Sequence, residues 1–202
     1  MKGKNNFTKL KSKMRKIIAS INITPDGFCD HTAATADEEL HEHFNKLFRN
    51  VDAALLGKVT YQLTESAWPP LVEKPSGLKA IDEFAILMDT MPKIVFSKTL
   101  KTLPWKNSHL AVGSLNREVE KLKQQSGKNI LAGGPSILSQ LTKFGLIDEY
   151  QFLVHPILAG KGKRFFETLN LESNRHLKLI NTKTLNSGVI ILSYQSANIN
   201  ND

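Results

Sequence analysis

A chain of 202 residues with 41% hydrophobic and 23% charged side chains has the size and balance of one globular domain around one core. No stretch approaches the roughly 18 consecutive apolar residues that a membrane-spanning helix needs, and a single cysteine, Cys29, excludes an internal disulfide. The net charge of +8 would suggest nucleic acid or an anionic membrane as a partner, but seven cations between Lys2 and Lys16 have no acid among them, and the rest of the chain carries 20 basic against 19 acidic residues. The basicity therefore belongs to a tail.

Residues 1–13, rich in Lys, Asn and Ser, cannot bury enough surface to order themselves and are expected to form a disordered extension. The domain is expected over 14–196, with a short C-terminal tail over 197–202. No nucleic-acid or membrane partner is expected. The absence of an apolar leader in the first 16 residues and of a disulfide points to the reducing cytoplasm, and Cys29 reads as a small residue after a turn.

Residues 16–24 (KIIASINIT) read as a central strand ended by the turn chemistry of Pro25-Asp26-Gly27. Leu40, Phe44, Leu47 and Phe48 recur at helical spacing and predict a helix over 37–48, with Thr35 or Asp37 available as its cap. A strand over 51–56 (VDAALL) stops at Gly57, and the helix that starts at Lys58 is ended by Trp68-Pro69-Pro70. A helix over 78–88, strands over 93–97 (KIVFS) and 110–112 and a helix over 115–125 follow. A strand over 129–132 (NILA) then runs into Gly133-Gly134-Pro135-Ser136 and a helix over 135–144 closed by Gly145. Beyond Asp148 the segments 149–158, 176–182 and 188–194 read as strands, the last two joined around Asn186-Ser187; His155-Pro156 falls inside the first and reads as structural. This succession predicts an α/β fold: a mixed, mostly parallel sheet flanked by helices, with terminal antiparallel strands and ligands at the carboxyl ends of the parallel strands.

Two strand-to-helix junctions carry the chemistry. A helix N-terminus offers unpaired N–H groups and a partial positive charge to a phosphate, and both Gly57-Lys58-Val59-Thr60 and Gly133-Gly134-Pro135-Ser136 are of this type. Glycines let backbone approach a pyrophosphate, and Pro135 suits a first helical position because its missing N–H loses no helix bond. Each junction alone fits a tight turn equally well. Ser97 and Lys98 end a third strand with a hydroxyl and a cation suited to an adenosine 2′-phosphate, or to solvent.

These segments stand in an order that resembles the dihydrofolate-reductase-like group, especially the C-terminal reductase domain of the bifunctional riboflavin-biosynthesis deaminase-reductase and its stand-alone relatives. The resemblance runs through Asp26-Gly27, LLGKVTY at 55–61 with Trp68-Pro69 after it, KIVFSKTL at 93–100, AGGPSILSQL at 132–141 and GLIDEYQFLVHPILAGKGKRFFE at 145–167. It implies the three-layer dihydrofolate-reductase-like fold, NADPH as cofactor and a homodimer, with the late strands from Glu149 as a possible interface. It places a cis peptide at Gly133-Gly134 against the cofactor pyrophosphate, with Pro135, Ser136 and Ile137 in the helix that follows. Gly57, Lys58 and Thr60 hold phosphates, Ser97 and Lys98 lie by the adenosine, and Ala19 lines the nicotinamide site.

On the substrate side, dihydrofolate reductases grip the pterin with a carboxylate on the first helix, whereas counting back from Gly57 places His41 there, with Asp37 within a turn. His41 is a candidate proton donor or a solvent-facing histidine; Asp37 and Asp26, the latter at a turn, are further candidates. Ala132 is expected beside the substrate, in a cleft shared with Ala19 and His41. Lys161, Lys163 and Arg164 could steer an anionic substrate or cover a solvated hairpin tip. No metal site is expected. The expected activity is hydride transfer from NADPH to a small heterocyclic (pyrimidine- or pterin-like) or carbonyl substrate, the alternative being a non-catalytic nucleotide-binding or interaction protein on the same fold.

Overall fold

The computed structural model describes residues 14–29, 36–167 and 169–197; the expected extension over 1–13, the tail beyond Ala197 and the alternative cap Thr35 lie outside the described residues. In chain order the elements are β1 (Ile17–Ile23), α1 (Glu38–Arg49), β2 (Val51–Gly57), α2 (Lys58–Ala67), α3 (Pro69–Glu73), α4 (Lys79–Thr90), β3 (Lys93–Phe96), β4 (Ser108–Leu110), α5 (Leu115–Gln124), β5 (Asn129–Gly133), α6 (Pro135–Phe144), β6 (Glu149–Val154), β7 (Leu177–Thr184) and β8 (Ile190–Ser196).

The eight strands form one sheet in the order β4-β3-β2-β5-β1-β6-β8-β7. The first six run parallel, and β8 and β7 add antiparallel at the end. Because strand side chains alternate between faces, each central strand feeds two cores. Ile17, Ala19 and Ile21 of β1, Ala53 and Leu55 of β2, Ile94 of β3 and Ile130 and Ala132 of β5 pack with Leu115 and Val119 of α5 and Ile137, Leu138 and Leu141 of α6. The intervening Ile18, Ala54, Leu56, Val95 and Leu131 pack with Leu47 and Phe48 of α1, Tyr61 of α2 and Phe84 and Met88 of α4. The result is a three-layer dihydrofolate-reductase-like fold.

Local signals fix the helix ends. Asp37 caps α1 by accepting from the Leu40 amide at 2.7 Å, with Glu38 and Glu39 in the first turn and Lys46 and Arg49 in the last, each suited to the helix dipole. Pro135 starts α6, and Gly145, at φ 70°, ends it in the left-handed conformation that glycine adopts without penalty. Three boundaries differ from expectation. Pro69 and Pro70 end α2 but also start the short α3, since proline suits a first helical turn. The strand expected at 110–112 lies at Ser108–Leu110. Strand β6 stops at Val154 rather than residue 158, because Pro156 has no N–H for the ladder; His155 still donates its amide to the Ile23 carbonyl at 2.8 Å.

The edge that carries Ser97 is held by a buried lysine. Lys93 lies over the Trp105 ring, 3.9 Å from its centroid, and donates to the carbonyls of Asp89 (3.2 Å) and Met91 (2.8 Å), closing the C-terminal end of α4. Burial pulls its amine down to about 8.

Candidate functional site

β2 and β5 are neighbours in register, Leu56 beside Gly133, so the helices that follow them begin side by side. The two junctions are interlocked. Gly134 has φ 86°, and a Cβ on it would overlap Thr60 Oγ1 and sit 3.0 Å from Thr60 Cβ; a Cβ on Gly57 would lie 2.8 Å from Ser136 Oγ. Neither α2 nor α6 has a side-chain cap, and neither first turn carries an acid. Two positive helix ends therefore converge on one spot, with backbone that nothing but glycine leaves accessible. This is an anion cradle at the carboxyl edge of the sheet, and its steric and electrostatic features fit the pyrophosphate of a dinucleotide. The peptide bonds of the described residues are trans, so the expected cis bond at Gly133-Gly134 is absent; the positive φ of Gly134 turns the backbone instead.

Lys58, exposed at the start of α2, reaches across to Thr99 Oγ1 at 3.0 Å and ties the cradle to the turn after β3. In that turn Ser97 Oγ accepts from the Thr99 and Leu100 amides (3.2 and 3.0 Å), which leaves its O–H free to donate, and Lys98 is exposed beside it. Ile137 contributes its first-turn amide; its side chain is buried in the core beneath Gly57.

The substrate-side residues are distributed differently from expectation. Ala19 and Ala132, 2% and 0% exposed, point into the core beneath α6, whereas His41 lies on the other side of the sheet, edge-on to Trp68 and Phe84. The three line no common cleft. His41 is neither solvent-facing nor free: it is buried, and its Nδ1 donates to the Asp37 carbonyl at 2.7 Å. The Asp37 carboxylate caps α1, and the hydrogen bond from the Leu40 amide holds it below the usual carboxylate range.

Asp26 is a latch. It accepts from Thr24 Oγ1 and from the Gly160 and Ala159 amides (2.8 and 3.3 Å); the Thr24 bond, then Gly160, holds it in the ionised form, unsuited to donating a proton at neutral pH. The same two loops are joined by Cys29 N to Lys163 O (2.8 Å) and Phe165 N to Gly27 O (3.1 Å). Arg164 lies over the Phe28 ring, 4.8 Å from its centroid, and lines an apolar cavity of about 310 Å³ with Ile23, Phe152, Phe165 and Phe166. Lys161 and Lys163 are exposed on the same loop.

Sequence reasoning missed a polar strip facing α1. β1 presents Ser20 and Asn22 on that side, and β6 places Gln151 level with Ser20. Gln151 Oε1 accepts from His43 Nε2 on α1 at 3.2 Å, and Asn22 Oδ1 accepts from His155 Nε2 at 3.0 Å. Burial pulls both imidazoles below their ordinary value, so both are neutral at pH 7. Ser20 Oγ and His155 Nδ1 are buried without a hydrogen-bond partner. The signal was available in the alternation of IIASINI, where every second residue after Ile18 is polar.

Among the described residues no group of three or more His, Cys, Asp or Glu is placed to hold a metal ion, and no helix is long and apolar enough to cross a membrane. The topology and the paired glycine junctions define a member of the dihydrofolate-reductase-like class. Residues 15–191 match the RibD C-terminal domain family, and the chain belongs to that family. It is 29% identical over 187 residues to the "Uncharacterized protein YyaP" of Bacillus subtilis (strain 168), covering 90% of this chain and 95% of that one. Its fold matches a protein from Shewanella sp. PV-4 ascribed to riboflavin biosynthesis (TM-score 0.69, 20% identity, 91% of this chain and 99% of that one). It also matches a pyrimidine reductase-like protein from Corynebacterium diphtheriae (TM-score 0.64, 14% identity, 91% and 92%).

Proposed function

We propose that the protein is an NADPH-dependent reductase that transfers a hydride to a small heterocyclic or carbonyl substrate. The interlocked, uncapped starts of α2 and α6 carry this reading: they form an anion cradle on adjacent parallel strands, in a family that contains reductase domains. Gly57, Thr60, Gly134 and Ser136 would hold the pyrophosphate, Lys58 would neutralise it, and Ser97 and Lys98 would receive the 2′-phosphate. When bound, the nicotinamide supplies the hydride. The chain supplies placement and the field of two helix ends.

Nicotinamide fluorescence titration is expected to show NADPH binding at least about tenfold tighter than NADH, the worth of one or two charge-assisted bonds. Equal affinities would remove the Ser97–Lys98 assignment, and no binding of either cofactor would remove the reductase reading. A homodimer through β7 and β8 belongs to the same proposal, supported by Leu179, Ile180 and Ile190, which are 51%, 46% and 38% exposed there. A monomeric mass in solution at micromolar concentration would refute it.

A further inference from the structure

A central strand covered on both faces ordinarily reads as a near-continuous apolar run. β1 obeys this toward α5 and α6 with Ile17, Ala19 and Ile21, but toward α1 it presents Ile18, then Ser20 and Asn22. Ser20 is level with Gly133 on one side and with Gln151 on the other, so its hydroxyl sits one residue from the Gly134–Thr60 interlock. That hydroxyl is buried and unpartnered, an arrangement that destabilises a fold unless something else satisfies it.

We propose that Ser20, with Asn22 and Gln151 on the same strand face, reads the edge of the substrate ring, and that the ring is an uncharged one carrying adjacent N–H and C=O groups. The inference rests on the reductase reading and specifies its substrate side. The strip bears no formal charge: a hydroxyl and two carboxamides are flanked by His43 and His155, both held neutral by burial. The carboxylate at the head of α1, Asp37, is committed to the Leu40 amide. A cationic amidine edge would be buried here without a counter-charge, whereas a lactam edge meets groups that both donate and accept. Ser20 is thus a specificity residue, and its hydroxyl is the one group on the strip with its whole hydrogen-bonding capacity unspent.

Calorimetric titration of the NADP⁺-saturated protein with uracil and with 2,4-diaminopyrimidine, in wild type, Ser20→Ala and Gln151→Leu, tests this. Uracil is expected to bind at least about tenfold tighter than the diamine, and each substitution to weaken uracil by about tenfold, the effect of one hydrogen bond lost to a buried group. NADPH affinity should stay within about twofold, and the melting temperature of Ser20→Ala should hold or rise, because an orphaned hydroxyl is removed. A purely structural serine would lower the melting temperature and leave uracil affinity alone, which overturns the inference. So would tighter binding of the diamine. A wild type that binds NADPH but not uracil defeats this inference alone; one that binds neither defeats the reductase reading with it.

Discussion

Gly134→Val is expected to abolish measurable NADPH binding while leaving a protein that still folds. A β-branched residue at φ 86° is strained by at least about 1–2 kcal/mol, and its Cβ would overlap Thr60 Oγ1, so α2 and α6 must separate where they converge on the phosphate. Separation by even about 1 Å dissolves a field that depends on two helix ends acting on one point, since the dipole effect is confined to the first turn. The steric part of the argument can be isolated. Gly134→Ala should weaken NADPH by at least about tenfold, and adding Thr60→Ala should recover part of the lost melting temperature, because the two residues occupy one volume. Unchanged NADPH affinity in folded Gly134→Val would remove the cradle as the cofactor site.

Dihydrofolate is expected to be turned over poorly even where NADPH binds well. Folate reduction needs a buried carboxylate that pairs with the pterin's amino group and ring nitrogen. Here the corresponding position on α1 is His41, edge-on to Trp68 and Phe84 and bonded to the Asp37 carbonyl. Losing a charge-assisted paired contact weakens productive binding by roughly 1.5–3 kcal/mol, one to two decades in kcat/KM, before any loss of proton delivery. Asp37, one turn earlier, does not substitute for it, because its carboxylate caps the helix. Asparagine caps about as well as aspartate, so Asp37→Asn should retain its fold and whatever dihydrofolate turnover the wild type shows. Steady-state assays with NADPH and dihydrofolate decide this: efficient turnover that collapses in Asp37→Asn would place the acid at Asp37 and make the protein a folate reductase.

The parts of the fold that rest on short-range chemistry were legible in the sequence. Asp37 before Leu40, Gly57 before Lys58 and Pro135-to-Gly145 each mark a helix end by a mechanism that acts within one turn. The strand order follows from them once alternating elements imply parallel crossovers. The cofactor side was legible for the same reason, since a phosphate site at a helix start is a local motif. The substrate side was not. Counting back from Gly57 located the level of His41 on its helix but not its azimuth, and about one residue in azimuth separates the packing against Trp68 from the interior of the cleft. A parity error of one residue on β1 likewise pointed to Ala19, beneath α6, when the side chain facing α1 is Ser20. Asp26 read as a turn residue or an acid, and its latching partners Ala159 and Gly160 lie more than a hundred residues away, beyond any local signal.

That latch gives the mouth of the cleft a particular kinetic character. The loop after β1 and the loop after β6 share the Asp26 bonds to Ala159 and Gly160, the Cys29–Lys163 and Gly27–Phe165 backbone bonds and the Arg164–Phe28 stack. Two loops clasped at so many points cannot fluctuate independently; to admit or release a ligand they must let go together, as one cooperative opening rather than a sum of small ones. Amides as far apart in the chain as Cys29 and Phe165 then exchange with solvent at a common rate set by that single event, and a change to one loop is felt as altered dwell time in the other.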